Sequence, residues 1–247
     1  MKTLRLLFVF LALCLTGCAL STSQHSPSTI PPETILTSAA PTAGNTTPPE
    51  TIIPTTTAAT QPPAPEEEDF VPVLTYIPDA IVQLPYSTKD NFTGQIIYEF
   101  DEAWIRYGTV KKLMAVQEEL REQGLTLKFW DCFRPTAAQF KLWEVFPDAN
   151  YVSDPHNGFS SHSRGNTVDV TLAYADGQEL SMPTGFDDFS KLADRDYSDC
   201  SAEAAANARL LETLMVKHGF KPYAKEWWHY SDTEVYPVEE NFYPEMP

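Results

Sequence analysis

Basic side chains are scarce in this chain of 247 residues, where 17 Lys and Arg stand against 34 Asp and Glu for a formal net charge of -17. A groove that tracks phosphates needs those cations to release counterions, so nucleic acid is excluded as a partner. Aromatic side chains are missing altogether between Phe10 and Phe70, while 10 of the 21 prolines fall between Ala19 and Asp69. That stretch of Thr, Ser, Pro and Ala cannot bury enough apolar surface to offset the entropy of ordering, and it reads as a disordered tether spanning about 40 Å as a coil. The acidic run that ends it, Glu66 to Asp69, lacks spaced metal ligands and reads as a solvated boundary. Long apolar runs are absent too. The unbroken run from Leu6 to Leu15 would rise only about 15 Å as a helix, roughly half a bilayer, which argues against a permanent span. Without Lys2, Arg5 and the six acids before Phe70, residues 70–247 still carry -13, so the folded part is itself acidic.

What the short apolar run does supply is an address. Lys2 and Arg5 precede it and Leu15-Thr16-Gly17-Cys18 closes it, which is the layout of a secretory signal peptide. The order Leu-x-Gly-Cys resembles the bacterial lipobox, and the resemblance implies cleavage before Cys18 with a diacylglycerol on its sulfur. The chain then divides into a lipoprotein signal peptide over 1–17, a lipidated Cys18 with its Pro/Thr/Ser-rich linker over 18–69, and a folded domain over 70–247. On this reading the domain is extracytoplasmic, held on a bacterial membrane by acyl chains at about 0.8 kcal/mol per buried CH2.

Residues 70–247 carry mixed periodicities. Apolar residues recur at three and four from Val110 to Leu120, with Gly124 as the stop, which predicts a helix. Leu125 to Asp131 predicts a strand leading to Phe133-Arg134-Pro135. Thr136 is expected to cap a short helix through Phe140 and Trp143, and Thr167 to Leu172 reads as a second strand. A second helix is expected from Ser201 to about Lys217, and Glu226 to Tyr230 as a final strand rich in aromatics. Helices and strands without strict alternation predict an α+β domain, a small antiparallel sheet flanked by helices with the site at the sheet.

Two clusters carry chemistry. Ser160 to Asp169 sets His162 in a glycine-containing loop and Asp169 inside a strand, and Glu226-Trp227-Trp228-His229 needs a bend or strand end to bring Glu226 and His229 together. Catalytic zinc commonly takes three ligands of His and carboxylate type and keeps a position for water, and His162, Asp169 and His229 supply such a set. Glu226 stands where it can take a proton from that water. A carboxylate among the β-branched residues around Asp169 is costly to bury without a metal or a cationic partner. Arg134 reads either as a salt-bridge residue or as a clamp for an oxyanion or a substrate carboxylate. His156 lies in a polar loop that flanks the cluster.

The pattern Ser-x-His-x-x-Gly-x-x-x-Asp over Ser160 to Asp169, paired with Glu-x-Trp-His over Glu226 to His229, resembles the zinc D-Ala-D-Ala peptidases. Asn91-Phe92-Thr93-Gly94 and Asp131-Cys132-Phe133-Arg134-Pro135 narrow the resemblance to the VanX-type D-alanyl-D-alanine dipeptidases, over about Tyr86 to Tyr230. It implies one Zn2+ on His162, Asp169 and His229, Glu226 as general base and then acid, and Arg134 at the tetrahedral intermediate. It also implies that Tyr86, Ser160, Ser161 and Asp187 line the substrate pocket, with Asp187 and Tyr86 at the substrate amine. The implied reaction is hydrolysis of D-Ala-D-Ala to two D-alanines. A D,D-carboxypeptidase that trims peptidoglycan stem peptides and a non-catalytic wall-binding lipoprotein stay open beside it. Departures from the family pattern are Thr167, where alanine is usual, and Cys132, where glycine is usual. With Cys14 removed and Cys18 acylated, Cys132 and Cys200 are the thiols left in an exported chain, and a disulfide between them is the hypothesis.

Overall fold

In the computed structural model residues 63–244 are described. The leader, Cys18 and the tether as far as residue 62 lie outside the described residues. The main sheet has five strands in the order β2-β4-β5-β7-β6, namely Ile81–Val82, Leu125–Asp131, Thr167–Tyr174, His229–Asp232 and Phe220–Pro222. β4 is buried along its whole length, Thr126, Lys128 and Asp131 included, because it lies between β2 and β5 with α2 packed on it. Pairing is antiparallel except at one edge, where the two-residue β2 runs parallel to β4. The expected antiparallel sheet is therefore mixed, because a strand of two residues carries no alternation that a sequence pattern can register. A separate ribbon pairs β1 (Phe70–Pro72) with β3 (Trp104–Arg106).

After the single-turn helix α1 (Val73–Tyr76), helix α2 (Tyr107–Arg121) packs on β4 and helix α4 (Ala202–Lys217) on β6. α2 begins three residues earlier than its apolar period announces, since its first turn is Tyr107, Gly108 and Thr109. The acidic run explains that start. Glu66 to Asp69 forms a turn whose carbonyls accept from the helix, Tyr107 N–H to Asp69 O at 2.8 Å and Gly108 N–H to Glu67 O at 3.0 Å. The orphan donors of the first helical turn are thereby satisfied by the backbone of that run. Ser201 caps α4 by accepting from Ala204 N–H at 3.1 Å.

Three expectations are corrected. Helix α3 (Thr136–Val145) has Pro135, not Thr136, as its N-cap residue, with no side-chain cap, because Pro135 already fixes the extended entry into the helix. The strand expected over Glu226 to Tyr230 begins only at His229, since Trp227 and Trp228 form a turn. Cys132 and Cys200 are separate free thiols. Cys132 is sealed beside Asp131 in the core, with burial first and the neighbouring carboxylates second pushing its thiol well up, while the Cys200 thiol points to the Tyr197 carbonyl at 3.7 Å.

Side-chain alternation divides the sheet into two uses. Val168, Val170, Leu172 and Tyr230 enter the core, fully buried. Thr167 and Asp169 on β5 and His229 and Ser231 on β7 take the opposite face. The register makes two rows there, Asp131–Asp169–His229 and Thr167–Ser231–Lys221.

Candidate active site

Asp169 and His229 of the first row lie on the floor of a cavity of about 440 Å3 whose wall includes Tyr86, Arg134, Ser160, Ser161, Asp187 and Glu226 beside His162. Sequence positions 86 to 229 thus meet in one place.

His162 is delivered by a single 3-10 turn, Ser161–Arg164. Ser160 caps it, its Oγ accepting from His162 N–H at 3.3 Å, and Gly165 ends it in the left-handed region at φ 71°. A Cβ on Gly165 would lie 2.3 Å from Cε1 of Phe70. Both constraints require glycine, so Gly165→Ala is expected to cost about 2–5 kcal/mol from left-handed strain plus overpacking, read as a lowered thermal midpoint. Unchanged melting would contradict this account of the turn.

The imidazole of His162 donates from Nδ1 to the Cys132 carbonyl at 2.8 Å, which fixes the tautomer and leaves Nε2 a free lone pair. That Nε2 lies 3.4 Å from Asp169 Oδ2 and 3.4 Å from His229 Nδ1. Asp169 Oδ1 is 3.0 Å from His229 Nδ1 but out of hydrogen-bond alignment, and it is a buried oxygen with no hydrogen-bond partner. One ligand atom from each of the three residues falls within 4.8 Å of the others. Two imidazole nitrogens and an orphaned carboxylate oxygen, converging in a buried pocket, fit a metal cation. Burial works against ionisation of Asp169, but the flanking rings of His162 and His229 outweigh it and hold its carboxyl below the ordinary range.

Glu226 stands beside this set. Its Oε2 is 3.4 Å from His229 Nδ1, and its carboxyl is pushed up to about 7 by burial first, then by the charges of Asp169 and Asp187. A carboxyl poised near neutrality suits proton transfer in both directions. The two tryptophans between Glu226 and His229 are anchors. Both are buried, packed edge to face on each other, and Trp227 donates from Nε1 to Thr184 Oγ1 at 2.9 Å. The turn they make closes with His229 N–H donating to the Glu226 carbonyl at 3.3 Å. Arg195 grips the same turn from outside, its Nη2 donating to the carbonyls of Glu226 and His229, each at 3.0 Å.

Arg134 is held by partners the sequence reading did not name. Its Nε (2.9 Å) and Nη2 donate to Asp131 Oδ2, and its Nη1 donates to Gln139 Oε1 at 2.9 Å. Asp131 is held in turn by Tyr98, whose hydroxyl donates to Oδ1 at 3.0 Å. Of the five guanidinium N–H groups, one on Nη1 and one on Nη2 have no partner among the described residues, so Arg134 is a salt-bridge residue with two donors left for a further acceptor. Asp131 had a signal, an acid closing an apolar strand three residues before Arg134. Gln139 and Arg195 had none.

Tyr86 is buried among Phe92, Tyr98 and Phe186, and its hydroxyl donates to Asp187 Oδ2 at 2.7 Å. Asp187 sits at φ 53°, a left-handed position that Asp and Asn tolerate. Burial, joined by the charge of Asp169, pushes its carboxyl up to about 7 against the Tyr86 hydrogen bond. A carboxyl raised by folding binds its proton more tightly in the folded state. Stability from this group is therefore full below about pH 4 and is lost as the pH rises toward 7. Asp187→Asn keeps the acceptor for Tyr86 and removes the charge, so the metal-free variant is expected to melt several degrees above the parent at pH 8 and to converge with it near pH 4. Equal melting at pH 8 would contradict this. His156 stays outside the site, an exposed ring bonded to Asp154 Oδ1 at 2.8 Å.

The family model Peptidase_M15, described as D-ala-D-ala dipeptidase, matches residues 66–245. A protein of Escherichia coli K12 named D-alanyl-D-alanine dipeptidase is 33% identical over 162 residues, 66% of this chain and 83% of the relative. Proteins of the same name from Enterococcus faecium, at 32% over 165 residues, and Streptomyces coelicolor, at 33% over 166, each share 59% of this chain and 82% of their own length.

Proposed function

The chain belongs to the D-Ala-D-Ala dipeptidase family of metallopeptidases, and on that premise we propose that the cavity hydrolyses free D-alanyl-D-alanine to two D-alanines with one Zn2+ on His162, Asp169 and His229. The observation that carries the reading is the convergence of those three ligand atoms beside the Glu226 carboxyl, 3.4 Å from His229 Nδ1.

Zinc in this cradle supplies Lewis-acid polarisation of the scissile carbonyl and makes water acidic enough to attack near neutral pH. Everything else is done by the chain. Asp187, with Tyr86 donating to it, receives the substrate ammonium, whose charge favours the ionised carboxylate. Arg134 turns its two free N–H groups to the carbonyl oxygen, and because Asp131 and Gln139 fix the guanidinium, no reorganisation is needed as negative charge develops. Glu226 takes the proton from the attacking water and returns it to the leaving amine. The aromatic wall of Tyr86, Phe92 and Phe189 beside Asp187 favours a free dipeptide over a stem peptide, whose chain continues past that nitrogen.

The experiment is D-alanine release by the zinc-loaded protein from free D-Ala-D-Ala and from a muramyl pentapeptide ending in the same dipeptide. Hydrolysis of the dipeptide is expected; preference for the pentapeptide would replace this reading with a D,D-carboxypeptidase, and inertness toward both with zinc bound would make the domain a wall-binding module. We further propose that the chain is anchored outside a bacterial membrane through lipid on Cys18, which the mass of the mature N-terminal peptide tests.

A further inference from the structure

We propose that Lys221, with Ser231, forms the subsite for the terminal carboxylate of the substrate, an inference that rests on the dipeptidase reading above. D-Ala-D-Ala is a zwitterion that presents three polar centres, an ammonium, a scissile carbonyl and a carboxylate. Asp187 answers the first. Arg134 answers the second, since its two remaining N–H groups are all that Asp131 and Gln139 leave free. The carboxylate then needs another cation, and among the described residues Lys221 is the one other Lys or Arg on the cavity wall.

The sheet register puts Lys221 where the substrate needs it. Lys221 pairs with Ser231, and Ser231 pairs with Thr167, so these three form the row beside Asp169 and His229 on the same face. Phe220 on the same strand is buried in the core, which by alternation turns Lys221 outward to the cavity. Same-face residues along a strand are about 7 Å apart. One further residue of extended substrate covers about 3.5 Å from a carbonyl held at the first row, and the flexible stem of lysine bridges the remainder. The second row is polar throughout. Ser231 Oγ lies 2.9 Å from Thr167 Oγ1 and 3.5 Å from Ser161 Oγ, a short hydroxyl chain able to donate to a carboxylate. Lys221 itself is exposed and makes no ion pair among the described residues, so its charge is free for a ligand.

The test compares wild type, Lys221→Met and Lys221→Arg in the full zinc-loaded chain, on D-Ala-D-Ala and on its C-terminal amide. Wild type is expected to prefer the acid. Lys221→Met is expected to raise KM for the acid tenfold or more with kcat within about twofold, to leave KM for the amide unchanged, and to melt as wild type does, while Lys221→Arg restores most of the preference. An unchanged KM for the acid, or an equal loss on acid and amide, would overturn the subsite while leaving the dipeptidase activity standing. A wild-type protein inert toward both substrates would overturn the activity and the subsite together.

Discussion

Glu226→Ala is expected to retain one zinc per chain and to lose activity on D-Ala-D-Ala by a factor of about 10^2–10^4 in kcat, the range that a positioned general acid–base supplies. The reason for separating the two properties is geometric. Glu226 lies 3.4 Å from His229 Nδ1, next to the three ligands but outside their set, so its removal leaves the cradle intact. Its backbone stays in place as well, because Trp227, Trp228 and the Arg195 contacts to the carbonyls of residues 226 and 229 hold the turn. The isosteric Glu226→Gln should lose as much, since an amide of the same shape cannot accept the proton. Metal analysis and steady-state kinetics on the same preparations read both quantities. Full activity in Glu226→Ala with zinc retained would end the assignment of this residue as the base, and loss of zinc would make it a ligand instead.

His229→Ala is expected to behave in the opposite way. Among the described residues, His229 is one of the three that offer a ligand atom to the metal. Removing a supporting contact around a metal ligand typically costs about 10–100-fold in affinity, and removing a ligand costs more. The variant should purify without zinc and be inactive, and excess zinc should restore activity only partially. Stoichiometric zinc in a purified His229→Ala protein would contradict the ligand set.

The parts of the site that could be read from the chain are those in which neighbours in sequence are neighbours in space. His162 and Asp169 stand seven residues apart across one turn and one strand, and glycine 165 marks where the turn must end. Glu226 and His229 are joined by two tryptophans whose burial needs no long-range information to anticipate. The bend between them was demanded by alternation along a strand, and a turn supplies it. What the chain did not disclose depends on register. Lys221 sits in the same row as Thr167, 54 positions earlier, only because β6 pairs with β7 and β7 with β5, and no local pattern encodes that. Arg195 is similar. It lies between α3 and α4 in a segment without periodicity, yet it bonds to Tyr223, Glu226, His229 and Tyr230 across the domain. The acidic run at 66–69 resembled solvated chain by composition, since its use is through backbone carbonyls, which composition does not register.

The measurement that bears most directly on the account is D-alanine released from D-Ala-D-Ala by chelator-stripped protein as zinc is titrated back. Activity should be absent in the stripped protein, rise in proportion to added zinc, and level off at one zinc per chain with two D-alanines formed for each dipeptide consumed. Undiminished release by the stripped protein, or no release with one zinc bound, would contradict it.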